Sequence, residues 1–423
     1  MKRFTIYLSV LLLFAVQALW AQGDGEYVTI AGKVVDARSG KPLHYASVTL
    51  AETNLSNITN AEGVFSLKIP AALYADKKLA ISHLGYALTL KSLEEFAGTT
   101  AARPLTVRMI PVSLVLDPAT IHAMDADELI TAAYARIRLN YPQQKMGLTA
   151  FYREMIRKGD TKYLSLNEAI IDINKAPYHG YAADRAGIYK GRGSVNYDAS
   201  DTLLIQYQGG VIGSLAIDQA KNPFCGVVQG EMFKYYEFHL ESTEMLDNQL
   251  FYVVSFNQRP DVEDIWCRGK LYIAAESLAI GRVEMNMNVE GREDATSIFI
   301  RKKPLRTRIE VTSAEYVVNF KNLGGLWYYD YARIGIKIDA KRKYALLKTH
   351  YSITSELAVT DRSLKEKEIP AESKIKFSDQ LSKRVSDFTD ENFWENYNII
   401  EPDTSIDIII KKIVKQLKKR GND

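Results

Sequence analysis

Apolar and polar positions alternate along most of this chain, and the alternation falls into two blocks. The first block covers residues 27–110. "YVTIAGKVVD" runs into the turn "ARSGKPL", where Gly40 can take positive φ and Pro42 fixes the exit. "YASVTL" follows, with Ala46, Val48 and Leu50 on one face and Ser47 and Thr49 on the other. The turn "TNAEG" leads into "VFSLKIP", and "KKLAISHLGY" and "PLTVRMIP" come after it. Gly63 and Gly85 stand where a tight turn or bulge would strain a residue carrying a Cβ. Short strands at this spacing, with no clear helix between them, predict a β-sandwich.

The second block, from about 147 to 360, has longer strands. In "RVEMNMNVE", Val283, Met285, Met287 and Val289 point one way and Arg282, Glu284, Asn286 and Asn288 the other. "ARIGIKID" repeats the pattern through Ile334, Ile336 and Ile338, and "FYVVSF", "GKLYIA" and "EYVVNF" are further strands. One buried and one wet face per strand predicts a large, curved, mostly antiparallel sheet.

Two segments read as helices. "DADELITAAYARIRLNYP" has Asp125 as N-cap, Leu129, Ile130, Ala133 and Ile137 on one face, and Pro142 as its stop. Near the C-terminus, "SIDIIIKKIVKQLKKR" places Ile406, Ile409, Ile410, Ile413 and Leu417 at helical spacing, with Thr404 and Asp407 as a cap. Lys411, Lys412, Lys415, Lys418, Lys419 and Arg420 form its other face, which suits either a packed helix or peripheral contact with an anionic membrane.

The order G-K-V-V-D-x-x-S-G-K-P-L-x-Y-A-S-V-x-L, T-N-x-E-G-x-F-S-L and I-S-x-L-G-Y resembles the carboxypeptidase-regulatory-like domain. That resemblance spans about 85 residues and implies a transthyretin-like β-sandwich of the kind found in exported envelope proteins of Bacteroidetes type, an accessory module without catalytic residues. The arrangement "FYVVSF…RGKLYIAAESLAIGRVEM" looks like the half-barrel of periplasmic lipoprotein-carrier proteins, which implies a hydrophobic concavity. "FTDENFWENYNIIEPDTSIDIIIKKIVKQLKKR" is similar to the ending of other exported proteins that follow such a module with this kind of sheet.

The N-terminus adds a location. "MKRF" followed by "TIYLSVLLLFAVQAL" has the charged start and short apolar run of a signal peptide, and no cysteine follows for lipid attachment. No later stretch is long and apolar enough for a membrane helix. Export leaves the two cysteines, Cys225 and Cys267, free to pair or to remain buried thiols. A bond between them would close a loop of about 40 residues and contribute roughly 4 kcal/mol. A formal net charge of +3 gives no reason to expect a nucleic-acid partner.

Catalytic signatures are missing. None of the six histidines begins H-x-x-E, and H-E-x-x-H is absent, so the zinc site of a carboxypeptidase has no ligands. There is no G-x-S-x-G elbow and no phosphate-cradling loop; "KGRG" at 190–193 reads as a basic hairpin turn. Asp261, Glu263 and Asp264 form the densest acidic cluster, in what reads as a solvated loop. In "LWYYDY", strand geometry puts Trp327, Tyr329 and Tyr331 on one face, a stripe suited to core packing or to stacking against a ligand such as a sugar.

The chain is therefore expected to be mainly β and to divide as follows: signal peptide 1–22, sandwich 23–112, linker and helix 113–145, large antiparallel domain 146–362, and C-terminal segment 363–423. No catalytic residue, metal or cofactor is assigned. The expected role is that of a non-enzymatic exported protein, periplasmic or outer-membrane-associated, whose large domain binds a lipid or extended ligand. Glycan binding or processing, and a structural part in an outer-membrane complex with an envelope-protein partner, are the alternatives.

Overall fold

A computed structural model describes residues 27–112, 125–159, 162–195, 209–227, 229–300, 305–386 and 393–420. For Val195, Cys225, Gln229 and residues 416–420 only the backbone is described. The expected signal peptide, most of the linker and the side chains of Leu417, Lys418, Lys419 and Arg420 lie outside the described residues.

The first seven strands are β1 (Tyr27–Asp36), β2 (Ser47–Leu50), β3 (Ser56–Ile58), β4 (Val64–Pro70), β5 (Lys78–Ser82), β6 (Thr89–Ser92) and β7 (Leu105–Met109). They form two sheets, ordered β4-β1-β7 and β3-β2-β5-β6. Val34, Val48, Leu50, Phe65, Leu67, Leu79, Ile81 and Val107 fill the space between them with no exposed surface. This is the β-sandwich expected from the alternation, because Ala46, Val48 and Leu50 do share the core face.

The glycines have separate jobs. Gly40 (φ +68°) donates its amide to the Asp36 carbonyl at 2.9 Å and closes the first turn, and Pro42 pairs back onto Val35. Gly63 (φ +75°) accepts from the Val34 amide at 2.8 Å, and a Cβ there would run into the Val34 carbonyl oxygen. Gly85 (φ +80°) donates to the Met245 carbonyl at 2.7 Å and so ties the sandwich to the second domain.

The remaining strands are β8 (Met146–Lys158), β9 (Lys162–Lys175), β10 (Arg185–Val195), β11 (Tyr236–Leu246), β12 (Gln249–Gln258), β13 (Cys267–Ala274), β14 (Ile280–Met287), β15 (Thr307–Leu323), β16 (Leu326–Arg342) and β17 (Thr349–Ser363). They make one antiparallel sheet in the order β10-β9-β8-β17-β16-β15-β14-β13-β12-β11. The sheet is open, with β10 and β11 as its edges. The β10 edge is covered by the chain itself: Gly193 donates to the Ser386 carbonyl at 2.7 Å and Ile188 to that of Ser373 at 3.0 Å. "KGRG" is thus the middle of an edge strand and not a hairpin turn. Its glycines are small because Val385 packs where their Cβ atoms would stand.

Helices cover one face of this sheet. The helix Ala126–Ala135 is capped by Asp125, whose carboxylate accepts from the amides of Asp127 (2.8 Å) and Glu128 (3.3 Å). Leu129, Ile130 and Ala133 face inward as the spacing predicts. A shorter helix, Gly210–Ala216, packs on the same face beside Tyr152 and Ile334. The opposite face receives the sandwich and residues 393–400, through Ile58, Phe151, Ile170, Tyr331 and Trp394. The last helix, Thr404–Arg420, lies there too, with Ile406 buried against Met155, Tyr163 and Leu166. Its cap is Asp403, which accepts from the Ile406 amide at 2.9 Å and the Ser405 hydroxyl at 2.6 Å, so the expected Thr404 cap is shifted by one residue.

Candidate functional site

The aromatic stripe is inside the protein. Trp327 (0 %), Tyr329 (2 %) and Tyr331 (0 %) have essentially no exposed surface, which leaves no open stacking platform at this stripe. Nor do they share a face. Asn319 pairs with Tyr331 and Phe320 with Tyr329, so Asp330 is an extra residue in a β-bulge. The bulge reverses the alternation. Trp327 and Tyr329 pack in the helix-covered core, Trp327 edge-on to Phe251 at 5.8 Å, while Tyr331 joins the cluster under the sandwich. Tyr329 donates its hydroxyl to the Ser214 carbonyl at 2.6 Å.

The helix-covered face carries one transverse polar row. Glu154 on β8 sits directly opposite Asn167 on β9 and Ser355 on β17. Each occupies a position that its own strand otherwise gives to the core: Leu148, Ala150 and Tyr152 on β8, Ala169, Ile171 and Ile173 on β9, Ile353 and Leu357 on β17. Glu154 accepts from the Tyr152 hydroxyl at 3.0 Å, and no cation among the described residues pairs with it. Burial pushes its carboxyl up to about 7, against the opposing effect of that hydrogen bond. Ser355 Oγ and Asn167 Oδ1 are buried without a hydrogen-bond partner among the described residues.

A cleft opens onto Glu154 between β8, the start of the Gly210–Ala216 helix and residues 375–384. It holds about 300 Å³ of open-sided space, of which only about 10 Å³ admits a water-sized sphere, room for about one water. Gly210 passes over it with a left-handed backbone (φ +42°), and a Cβ there would make ordinary contact with the Tyr152 hydroxyl (3.4 Å) and Glu154 Oε2 (3.7 Å). Arg384 holds the outer wall by donating to Asp379 at 2.7 Å and to the Glu372 carbonyl at 2.6 Å.

Further along this face lies a second polar cluster with a different character. Lys175 Nζ is 2.6 Å from Asp184 and 2.7 Å from Asp218, and it stands 5.0 Å from the Tyr329 ring centre. Lys221 reaches the other Asp184 oxygen at 2.5 Å, and the Tyr178 hydroxyl donates to Asp218 at 2.9 Å. Burial favours the neutral lysine, but the two carboxylates outweigh it and hold Lys175 above its ordinary value. Asp184 is pushed up by burial and pulled further down by Lys175 and Lys221. These groups satisfy one another and pin the chain after β9 to the sheet.

The opposite face is joined to the sandwich by buried polar contacts. Arg362 donates to Asp330 and to Ser56 Oγ (3.1 Å), the Ser56 hydroxyl donates to the Val359 carbonyl at 2.9 Å, and Lys321 donates to Thr49 and to Ser47 Oγ (3.0 Å). Ser47 and Thr49, the polar side of β2, therefore face the second domain and not water. Desolvation pulls Lys321 below its ordinary value. A further buried triad, Arg153–Glu168–Arg192, has 2.7 Å and 3.0 Å ion pairs, and Arg153 also donates to the Ile400 carbonyl at 2.8 Å.

Cys267 is buried at the start of β13, and the side chain of Cys225 lies outside the described residues, so the choice between a bond and two free thiols lies outside them too. Asp261, Glu263 and Asp264 are exposed in the loop between β12 and β13. Among the described residues no group of three or more His, Cys, Asp or Glu is placed to hold a metal, and no helix is long and apolar enough to cross a membrane.

Comparison with known proteins agrees with the first domain: residues 30–100 match the family model of the CarboxypepD_reg-like domain. No curated protein matches the chain. Among solved structures, the chain is similar to a DUF1329 family protein from Desulfovibrio piger (12 % identity, 56 % of this chain and 94 % of that one, TM-score 0.21). It is also similar to a domain described as an outer membrane lipoprotein-sorting protein from Vibrio parahaemolyticus (11 %, 56 % and 92 %, TM-score 0.23) and to MucB (12 %, 62 % and 96 %, TM-score 0.20). Residues 30–100 thus match the carboxypeptidase-regulatory-like module, and a ten-stranded open sheet follows it.

Proposed function

We propose that this chain is an exported, non-enzymatic binding protein of the cell envelope, and that its ligand places a neutral polar group in the Glu154 cleft. One observation carries the reading: among the described residues, a buried carboxyl without a cation faces a cleft that reaches solvent, flanked by two buried polar atoms that lack partners. A carboxyl with its proton affinity near neutral can both donate and accept, which suits an ester, amide or hydroxyl better than a fixed charge. An esterified lipid or an extended peptide has such groups. The cleft is closed to about one water, so an acyl chain enters only if residues 375–384 move aside.

The test is native mass spectrometry of the protein isolated from the envelope, with and without Glu154→Leu. A bound mass that the substitution abolishes supports the reading. A bare protein, or a mass that survives Glu154→Leu, overturns it.

The seam gives a second reading its own support. Lys321, Asp330 and Arg362 lock the sandwich to the sheet through buried contacts, as a structural component of an envelope complex would require. Co-purification of a stoichiometric envelope protein with the Glu154→Leu variant would favour it.

A further inference from the structure

The β16–β17 hairpin ends in "KRKYALLK", residues 341–348, where Lys341, Arg342, Lys343 and Lys348 flank an apolar tip that contains no acid. At this tip Tyr344 is 79 % exposed, Leu346 95 % and Leu347 82 %. Leu305, 90 % exposed, stands beside them: Thr307 pairs with Arg342, and the Lys343 amide donates to the Arg306 carbonyl at 2.9 Å. A single exposed leucine is ordinary, but four large apolar side chains on adjoining turns inside a ring of cations are not.

The fold collects more positive charge at this end. The Gly159 amide in the β8–β9 turn donates to the His350 carbonyl at 2.8 Å, which seats that turn next to the hairpin. The helix Thr404–Arg420 packs over the same end of β8 and β9, leaving Ile408, Lys411, Lys412 and Lys415 exposed. Acids at this end are engaged by cations: Glu310 and Asp339 by Lys348 at 3.0 and 3.3 Å, Glu293 by Arg308 and Asp407 by Lys411 at 2.6 Å. The sandwich attaches to the other end, through Gly85 to Met245 and Lys321 to Ser47.

The geometry points to this end of the sheet as a docking surface for an anionic lipid bilayer. Leu305, Tyr344, Leu346 and Leu347 enter the headgroup layer while the surrounding cations lie against lipid phosphates. The apolar groups project outward from turns, which fits a soft fluid layer better than a shaped protein partner. Lysine and arginine stems can keep their charges at phosphate level while the tip goes deeper, and tyrosine favours that depth. Attraction grows with both the apolar area inserted and the number of cations brought near the surface. This surface is separate from the Glu154 cleft and stands whether or not the cleft holds a ligand.

Vesicle co-sedimentation of the protein isolated from its host tests the proposal, with phosphatidylcholine vesicles carrying a minor fraction of phosphatidylglycerol against pure phosphatidylcholine. Binding to the anionic vesicles that falls as salt rises is expected. Leu346→Asp with Leu347→Asp should weaken it at least about tenfold, from the loss of two inserted leucines. Lys341→Gln with Lys343→Gln should weaken it about tenfold or more at low salt. Circular dichroism identical to the parent confirms that these surface variants fold. No sedimentation with anionic vesicles, equal binding to both vesicle types, or full binding by the folded Leu346→Asp/Leu347→Asp variant would each overturn the proposal.

Discussion

Tyr45 of the sandwich and Tyr331 of β16 stack across the seam with ring centroids 5.4 Å apart and 27° between their planes. The Tyr331 hydroxyl donates to Glu356 at 3.1 Å, and the Arg333 guanidinium lies 5.9 Å from the Tyr45 ring centre. One aromatic pair thus connects the two domains and satisfies a buried carboxylate. Tyr331→Ala should destabilise the protein by about 3–5 kcal/mol, and Tyr331→Phe by about 1–3 kcal/mol through the lost hydrogen bond to Glu356. Urea unfolding midpoints would show whether the two costs rank in that order.

Asp330 and Arg362 form the buried ion pair of the seam. Removing one partner leaves the other charge uncompensated, so Asp330→Ala should cost about 3–5 kcal/mol. Adding Arg362→Met should recover part of that loss, because the guanidinium is then no longer orphaned; Lys321, whose charge Asp330 also favours, keeps the recovery incomplete. A double-mutant cycle in thermal unfolding measures the recovery; strictly additive losses would show that the two residues act independently.

Glu154 should make stability fall as pH rises. Its carboxyl binds a proton more tightly in the folded protein, near 7, than at the ordinary value of 4.5. The folded state therefore holds more protons than the unfolded state between those values. Stability is greatest below the lower value, declines through the interval and levels off above the upper one. The loss is on the order of 3 kcal/mol. Glu154→Gln should flatten this part of the pH profile, as read from unfolding midpoints across the same range.

Gly63 and Gly40 share a left-handed backbone but differ in their surroundings. At Gly40 nothing lies within 4 Å of a new Cβ, so Gly40→Ala should cost about 1–2 kcal/mol from backbone conformation alone. At Gly63 the Val34 carbonyl blocks the Cβ, so Gly63→Ala should cost more than that, with the sandwich unfolding first. Thermal melts of the two variants side by side would separate conformational strain from steric conflict.

The alternation of Ala46, Val48 and Leu50, of Val283 and Met285, and of Ile334, Ile336 and Ile338 was enough to place strands and their buried sides, because period two survives wherever a ladder is regular. It failed at Asp330. A bulge depends on how two strands register, and nothing in "LWYYDY" announces it. The polar row was hidden for the same reason. Glu154, Asn167 and Ser355 each look like a minor break in a core pattern, and only strand pairing shows that the three breaks coincide. Ser47 and Thr49 had the spacing of a wet face; what covers them comes from more than 270 residues downstream, a distance that local pattern cannot bridge.

Lys321 buries its ammonium against hydroxyls that belong to another domain, with no carboxylate in direct contact. A shortened chain that began after the sandwich would therefore do more than lose a module. It would present a newly wetted cation, a bared Asp330–Arg362 pair and the Tyr331 ring as fresh surface. Any binding gained or lost on such truncation would report on that uncovered face, and only point changes that leave the sandwich seated can tell which domain meets the partner.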